Sequence, residues 1–454
     1  MHSKRRSLGG MSAVATPSGP RERIPGSTVV TFYRDPLGSL TQMAAEHGDV
    51  VRFRWWPRHE YLLSDPGLIE QVLVKEQRSF MKGQALQETK RVLGQGLLTS
   101  EGDLHLQQRR LMQPLFHRRR ITHYAAEMVD CAERRQSSWR AGETRDVHEE
   151  MARVTLAVVG RTLFATGVEA EAAEIGAALT DAMESLQRFM LPFYGALERL
   201  PLPAVRRLRE SRRRLDLTIY RLLDERRASP GGNDLLTLLL ETRDDDGRPM
   251  PDQKVRDEAM TIFLAGHETT AVALTWTWML LARHPAIERR VHEELDEALG
   301  TRLPTADDLS RLEYTDKVLK ESMRLYPPAW LIGRRALVNV ELGGYPIPAG
   351  SVVLLSPWVT HRDGRFFADP RRFDPERWTP EAEAARPRFS YFPFGGGVRR
   401  CIGEGFALME AKLLLATIAR RWRLRLDPAQ RVEPLARITL RPRFGMRMYV
   451  EPRR

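Results

Sequence analysis
Between residues 49 and 65 apolar and polar side chains alternate around Trp55 and Trp56 and stop at Ser64-Asp65-Pro66-Gly67. That pattern predicts a two-stranded hairpin followed by a helix. From about 120 to 300 the apolar spacing changes to the helical repeat, broken at Pro192, at 200–203, at 229–232 and at 244–249. The longest unbroken run, 255–284, predicts a helix of roughly thirty residues, which at about 1.5 Å per residue crosses the whole molecule. Beyond Pro327-Pro328 the chain turns to short strands and tight turns, as in 342–350. Ile402, Phe406, Met409 and Leu413, spaced four, three and four apart, then predict one more amphipathic helix before a strand-rich tail. No internal repeat or long linker interrupts this order. The pattern predicts a mainly α fold with a smaller β-rich part, an α+β arrangement.

Composition narrows the class. A length of 454 residues gives a prior of about three domains, and 42% hydrophobic with 29% charged residues describes a globular chain with a sizeable core. Cys131 and Cys401 are the two cysteines, which leaves no disulfide framework and no cysteine set for zinc or an iron–sulfur cluster, and fits a reducing cytoplasm. Lys4-Arg5-Arg6-Ser7 is followed by no apolar run of signal-peptide length, so residues 1–26 are read as a flexible tail. The most apolar stretch, 271–282, is too short to span a bilayer, and no membrane anchor is expected. The net charge of +12 comes from 71 basic and 59 acidic residues, with arginines clustered at Arg109-Arg110, 118–120 and 206–214. Such a surface favours acidic partners. Without interleaved aromatic platforms it argues for solvated helix faces and against nucleic acid.

The chemistry is concentrated near the C-terminus, at Phe394-Gly395-Gly396-Gly397-Val398-Arg399-Arg400-Cys401-Ile402-Gly403. This glycine-rich loop delivers Cys401 to the start of a helix, where unpaired backbone N–H groups and the dipole are expected to lower a thiol's pKa. A thiolate can hold haem iron. Gly397 and Gly403 are expected to permit positive φ and close approach to a flat cofactor, and Arg399 to pair with a propionate.

The segment resembles the haem-binding signature of the cytochrome P450 family, F-x-x-G-x-R-x-C-x-G, at Phe394, Gly397, Arg399, Cys401 and Gly403. Ala265-Gly266-His267-Glu268-Thr269-Thr270 is similar to that family's A/G-G-x-D/E-T-T motif on its long helix. Four-residue spacing sets Thr261, Ala265 and Thr269 on one face of that helix, Ala265-Gly266 leave room for dioxygen, and a local widening of the helix is expected there. Glu268 and Thr269 supply a carboxylate and a hydroxyl for proton delivery. The rival zinc motif H-E-x-x-H fails, because Ala271 occupies its last position. Glu321-Ser322-Met323-Arg324 and the segment Phe373-Asp374-Pro375-Glu376-Arg377-Trp378 match the family's E-x-x-R and its P-E-R-W-like stretch, which implies a buried structural triad of Glu321, Arg324 and Arg377. Around 102–110 the chain is similar to the family's W-x-x-x-R helix, with His105 in place of tryptophan. This adds His105 and Arg109 to the cofactor-binding set of Ala265, Arg334, Phe394, Arg399, Cys401 and Gly403, with Arg335 as the alternative to Arg334.

The resemblance covers nearly the whole chain. It implies the cytochrome P450 fold as a single catalytic domain over 27–454, with haem b ligated by Cys401. It also implies a monooxygenase that puts one atom of O2 into a hydrophobic small molecule of terpenoid, fatty acid, steroid or polyketide type. No dinucleotide signature is present, so electrons are expected from NAD(P)H through a separate reductase and a ferredoxin or flavodoxin, docked near Arg109, Arg110 and 118–120. A soluble, monomeric, cytoplasmic enzyme is expected. Substrate contacts are placed on Thr261, Ala265, Ala329, Trp330 and Leu331, with the segments 82–100, 185–203 and 438–440 around them. The alternatives are a peroxide-driven peroxygenase, which has no need of the Glu268–Thr269 pair, and a haem-thiolate sensor without turnover.

Overall fold
The alternation at 49–65 becomes the antiparallel pair Val50–Trp55 and Arg58–Leu63, registered from Val50 against Leu63 to Trp55 against Arg58. Asp65 then caps the short helix Pro66–Glu70 by accepting the Leu68 N–H at 2.9 Å. The structure is a computed structural model that describes residues 16–22, 24–55, 58–164, 176, 178, 203–229, 231, 234–243 and 246–453. The anticipated breaks at Pro192 and 200–202, and most of the 185–203 segment, lie outside those residues.

The hairpin belongs to a five-stranded sheet, in the order Val50–Trp55, Arg58–Leu63, Val352–Leu355, Ile332–Ala336, Phe80–Lys82. Arg58–Leu63 and Val352–Leu355 run parallel, and the other pairs are antiparallel. Side-chain alternation sends Val50, Tyr61, Leu63 and Val353 to one apolar cluster and Val51, Phe53, Leu62 and Leu354 to another, so both faces of the sheet are covered.

The helical part is built around Asp252–Arg283, 32 residues long and buried along most of its length. One half packs with Ala125–Gln136, Val147–Phe164, Pro285–Leu299, Glu313–Leu325 and Glu404–Arg421 in the largest apolar cluster. Its other half meets Pro203–Ala228 and Leu235–Glu241 in a second cluster. The fold is thus mainly helical with small sheets.

Two readings are corrected. The run from 120 to 300 is interrupted by a strand, Thr144–Asp146, which pairs with the C-terminal strand Arg447–Pro452 and through it with Trp422–Leu426. The long helix shows no widening at Ala265-Gly266. It is α-helical throughout, and the π-type turn lies instead at Gln71–Lys75.

Glu321 is fully buried beside Arg324, which is also fully buried. Its carboxylate accepts Arg324 Nε at 2.7 Å and Nη2 at 2.8 Å, Arg377 Nε at 2.9 Å, Trp378 Nε1 at 3.0 Å and the Asp374 N–H at 2.9 Å. Arg324 spends its other donors on the carbonyls of His361, Pro370 and Arg372. Glu321, Arg324 and Trp378 are buried and Arg377 is partly so, so removing Glu321 strands the Arg324 charge without water. We predict that Glu321→Ala costs about 3–5 kcal/mol. Denaturant unfolding checks this, and a loss under about 1 kcal/mol would contradict it.

Candidate functional site
Cys401 sits three residues before the helix Glu404–Arg421, and its N–H donates to the Phe394 carbonyl at 2.9 Å, closing the glycine loop. Gly395 (φ 71°) and Gly397 (φ 65°) occupy the left-handed region. A Cβ on Gly397 would stand 1.9 Å from the Leu73 carbonyl oxygen, which belongs to the π-type turn. The expectation for Gly403 is corrected: it caps the helix at φ −89°, an ordinary conformation, and Gly395 takes its place as the second left-handed glycine.

The thiol is also not as anticipated. Burial pushes the Cys401 pKa up, against the Gly403 amide and the charges of Arg109 and Arg400, so the helix terminus alone does not make a thiolate. A bound cation would deprotonate it outright. Cys401 is nonetheless exposed while the protein desolvates it from most directions. It therefore lines an interior space and not the outer surface.

The central helix borders an interior space as well. Ala265 is exposed, and Ile262, Gly266 and Thr269 are half-buried, in a helix whose neighbouring residues are buried. This strip of one large apolar residue, two small ones and a hydroxyl follows the i, i+3, i+4 spacing. Ile262 and Ile402, the residue after the cysteine, pack against one apolar cluster together with Leu98 and Phe116. Thr269 Oγ1 donates to the Ala265 carbonyl at 2.7 Å. Thr261 is off the strip: it is 5% exposed, with Oγ1 pressed against Gly96, and Ile262 holds the position expected of it.

A cluster of basic side chains surrounds the loop on another side. His105 is buried, Arg109, Arg334 and Arg399 are partly so, and Lys82, which the pattern of residues did not flag, is buried with its amine on the Leu97 and Ser100 carbonyls. Burial, then repulsion from the neighbouring arginines, brings His105 down to about 3 and Lys82 to about 6; burial and Arg399 bring Arg334 to about 10. Arg109 donates to the Arg400 carbonyl at 2.8 Å and feels the charge of Cys401, which ties the cluster to the cysteine. Arg334 faces Arg399 and Glu101, whereas Arg335 reaches Met81 Sδ. Glu101, also unflagged, is the carboxylate of the group, accepting from Arg399, Gln87 and the Lys82 N–H. Several cations suppressing one another's charge around one carboxylate suit the two propionates of a haem, and the residues present fit that group.

Two carboxylates on the central helix hold the loop that leads to this cluster. Asp257 accepts the Gln95 N–H at 2.7 Å and Glu258 the Leu97 N–H at 2.9 Å. Gly94 and Gly96 pack so closely against Asp257 that a Cβ on either would clash with it, a contact that no sequence motif announces.

Glu268 is 8% exposed. Its Oε1 accepts Arg441 Nε at 2.6 Å and also the Thr439 hydroxyl. Burial works to raise its pKa, but the Arg441 and Thr439 hydrogen bonds and the Arg441 charge outweigh it and hold the carboxyl below its ordinary value. Of the anticipated substrate residues, Ala329 and Leu331 are half-buried. Trp330 is corrected: its ring is packed with Leu37, Phe53 and Leu62 under the sheet, and its indole N–H goes to the Arg437 carbonyl at 2.7 Å.

The chain matches the Cytochrome P450 family over residues 17–444. It is 44% identical over 424 residues to cyclooctatin synthase of Streptomyces melanosporofaciens, covering 92% of each chain. It is 39% identical to cyclooctat-9-en-7-ol 5-monooxygenase of the same organism, over 91% of this chain and 93% of that one. To pentalenene oxygenase of Streptomyces avermitilis it is 38% identical, over 90% and 91%. Among solved structures, the cytochrome P450DA heme domain superposes with a TM-score of 0.88 at 27% identity, over 97% of this chain and 98% of that one. The retinoic acid bound cyanobacterial CYP120A1 gives 0.87 at 25%, over 97% and 100%.

The contrast between the loop glycines is testable. Gly397→Ala is expected to cost about 1–3 kcal/mol through its strained φ, with more from the clash at Leu73, and to lower cofactor content. Gly403→Ala, whose Cβ would meet nothing nearer than Phe116 at 3.7 Å, is expected to be tolerated. Unfolding midpoints and haem absorbance compare the two, and equal losses would contradict the assignment.

Proposed function
The chain belongs to the cytochrome P450 family of haem-dependent monooxygenases, and from that premise we propose that it inserts one oxygen atom from O2 into a polycyclic terpenoid. The observation that carries this reading is an exposed cysteine beside Arg109 and Arg400, with Arg109 tying it to a cluster of basic side chains that has Glu101 as its carboxylate. Three relatives bear names that refer to cyclooctatin, cyclooctat-9-en-7-ol and pentalenene, compounds of terpenoid type. The apolar lining offered by Ile262, Leu98, Ala329 and Leu331 suits a ligand of that kind.

Haem held by Cys401 supplies the oxygen activation, with the thiolate pushing electron density toward the iron. Everything else is done by the chain's own residues. His105, Arg109, Arg334 and Arg399 pair with the propionates. Ala265 and Gly266 leave space for a small ligand. Thr269 Oγ1, which donates to the Ala265 carbonyl, would turn to donate into the ligand space, and Glu268, ionised at rest, would relay a replacement proton that it first takes up from water. The apolar walls exclude other water. The triad of Glu321, Arg324 and Arg377 holds the loop and takes no part in the chemistry.

In this reading residues 27–454 act as one monomeric catalytic domain in the cytoplasm. Electrons come from NAD(P)H through a reductase and a ferredoxin or flavodoxin. Exposed Arg110, Arg118, Arg119 and Arg400 lie near the cysteine loop in sequence or structure and suit an acidic electron donor. No helix among the described residues is long and apolar enough to cross a membrane.

The test is turnover of pentalenene with a ferredoxin, its reductase and isotopically labelled O2, scored for one labelled atom in the product. Thr269→Ala is expected to lower product per electron by about tenfold or more and to release the difference as peroxide. Unchanged coupling would remove Thr269 from proton delivery.

A further inference from the structure
Glu268 is held by more than its own helix. Arg441 and Thr439, which both donate to its Oε1, lie on the turn between the paired strands Pro434–Ala436 and Leu440–Pro442 and on the start of the second strand. The other titratable groups around it are His267 on the same helix and His148 on Val147–Phe164. His267 Nδ1 is on the Phe263 carbonyl at 3.0 Å and His148 Nδ1 is 3.3 Å from Thr275 Oγ1. Burial lowers the pKa of both imidazoles, so they are neutral at pH 7 and Arg441 is the cation that faces the carboxylate.

The same turn is bonded to the segment that leads to the candidate substrate contacts. The Leu440 N–H donates to the Pro328 carbonyl at 3.0 Å, and Trp330 Nε1 donates to the Arg437 carbonyl at 2.7 Å. These bonds flank Ala329. On the other side Trp276 Nε1, two turns beyond Glu268, donates to the Leu440 carbonyl at 2.7 Å. A five-residue turn therefore joins the 328–330 segment to the carboxyl of Glu268 through four side-chain or backbone hydrogen bonds, and a fifth ties it to Trp276 of the central helix.

We propose that the 437–441 turn is a positioning element for proton delivery: Arg441 and Thr439 hold Glu268 ionised and turned toward the tail, and displacement of the 328–330 segment by a bound ligand loosens that hold. Arg441 and Thr439 act through Glu268 and do not touch the reacting atoms. The proposal rests on the reading of Glu268 as the residue that resupplies Thr269. Ligand binding shifts the two positions of the carboxyl because it favours the loosened one, and by linkage the proton affinity of Glu268 must then depend on the ligand.

The test is an infrared titration of the haem-loaded protein, following the carboxylic acid band that Glu268→Gln removes. Without ligand the wild-type band is expected only below the ordinary carboxylate range. Saturation with 4-phenylimidazole, an azole that binds haem iron and fills space beside it, is expected to raise proton affinity at least tenfold, about one pH unit. Arg441→Gln is expected to raise it without ligand and to abolish the ligand effect, with Arg441→Lys restoring most of the wild-type behaviour. Thr439→Val, a smaller change, is expected to give a shift in the same direction. Trp330→Phe keeps an aromatic ring and removes the bond to Arg437 while the Leu440–Pro328 bond remains, and is expected to weaken the response of the midpoint to 4-phenylimidazole. An unchanged midpoint in Arg441→Gln, or a ligand shift undiminished in Trp330→Phe, overturns the proposal. If these shifts occur while Glu268→Gln keeps wild-type coupling, the turn acts as proposed on Glu268 but the reading of Glu268 as proton donor fails.

Discussion

One buried carboxylate organises the side of the molecule on which the cysteine loop lies. Glu321 collects five donors from Arg324, Arg377, Trp378 and Asp374, and Arg324 in turn collects the carbonyls of His361, Pro370 and Arg372. His361 is the next link. Its Nε2 accepts the Phe392 N–H at 2.9 Å, which requires a neutral ring, and burial and the Arg324 charge keep its pKa well below the ordinary value. Phe392 offers its carbonyl to Gly395, and Phe394 offers its own to Cys401. The position of the thiol is thus set by a chain of hydrogen bonds that starts in a site with no access to water. An ionic network of this kind is costly to assemble and contributes little net stability. Its value lies in fixing one arrangement of a loop that contains three glycines.

The site combines groups that oppose one another until a cofactor is bound. Burial raises the Cys401 pKa, and burial, with repulsion from the neighbouring arginines behind it, lowers those of His105 and Lys82. A ferric porphyrin with two propionates brings a cation to the thiol and anions to the basic cluster, so both conflicts are relieved by one ligand. On the central helix the reverse holds: Glu268 is already satisfied by Arg441, and Thr269 by the Ala265 carbonyl. Proton delivery from that pair, as proposed, would require both bonds to be exchanged.

Much of this was legible because it depends on contiguous residues. The cysteine loop, the A-G-H-E-T-T turn and the E-x-x-R pair are local, and their spacing survives folding unchanged. The hairpin at 49–65 and the long helix were legible from periodicity for the same reason. What was misread depends on distance along the chain or on a single step around a helix. Thr144–Asp146 is a strand only because Arg447–Pro452, some three hundred residues later, pairs with it. Thr261 and Ile262 differ by about 100° on the helix, which is enough to move the hydroxyl off the open strip. Glu101 and Lys82 belong to the basic cluster through tertiary contacts that no motif announces. Gly395 and Gly403 cannot be told apart by residue type, because only the folded backbone shows which one takes positive φ.

Whether Cys401 binds haem iron as a thiolate is read from the absorbance of the protein reduced with dithionite under carbon monoxide. A strongly red-shifted Soret band that disappears in Cys401→Ser is expected. A band at the position typical of histidine ligation, or one unchanged by the substitution, would mean that Cys401 is not the ligand.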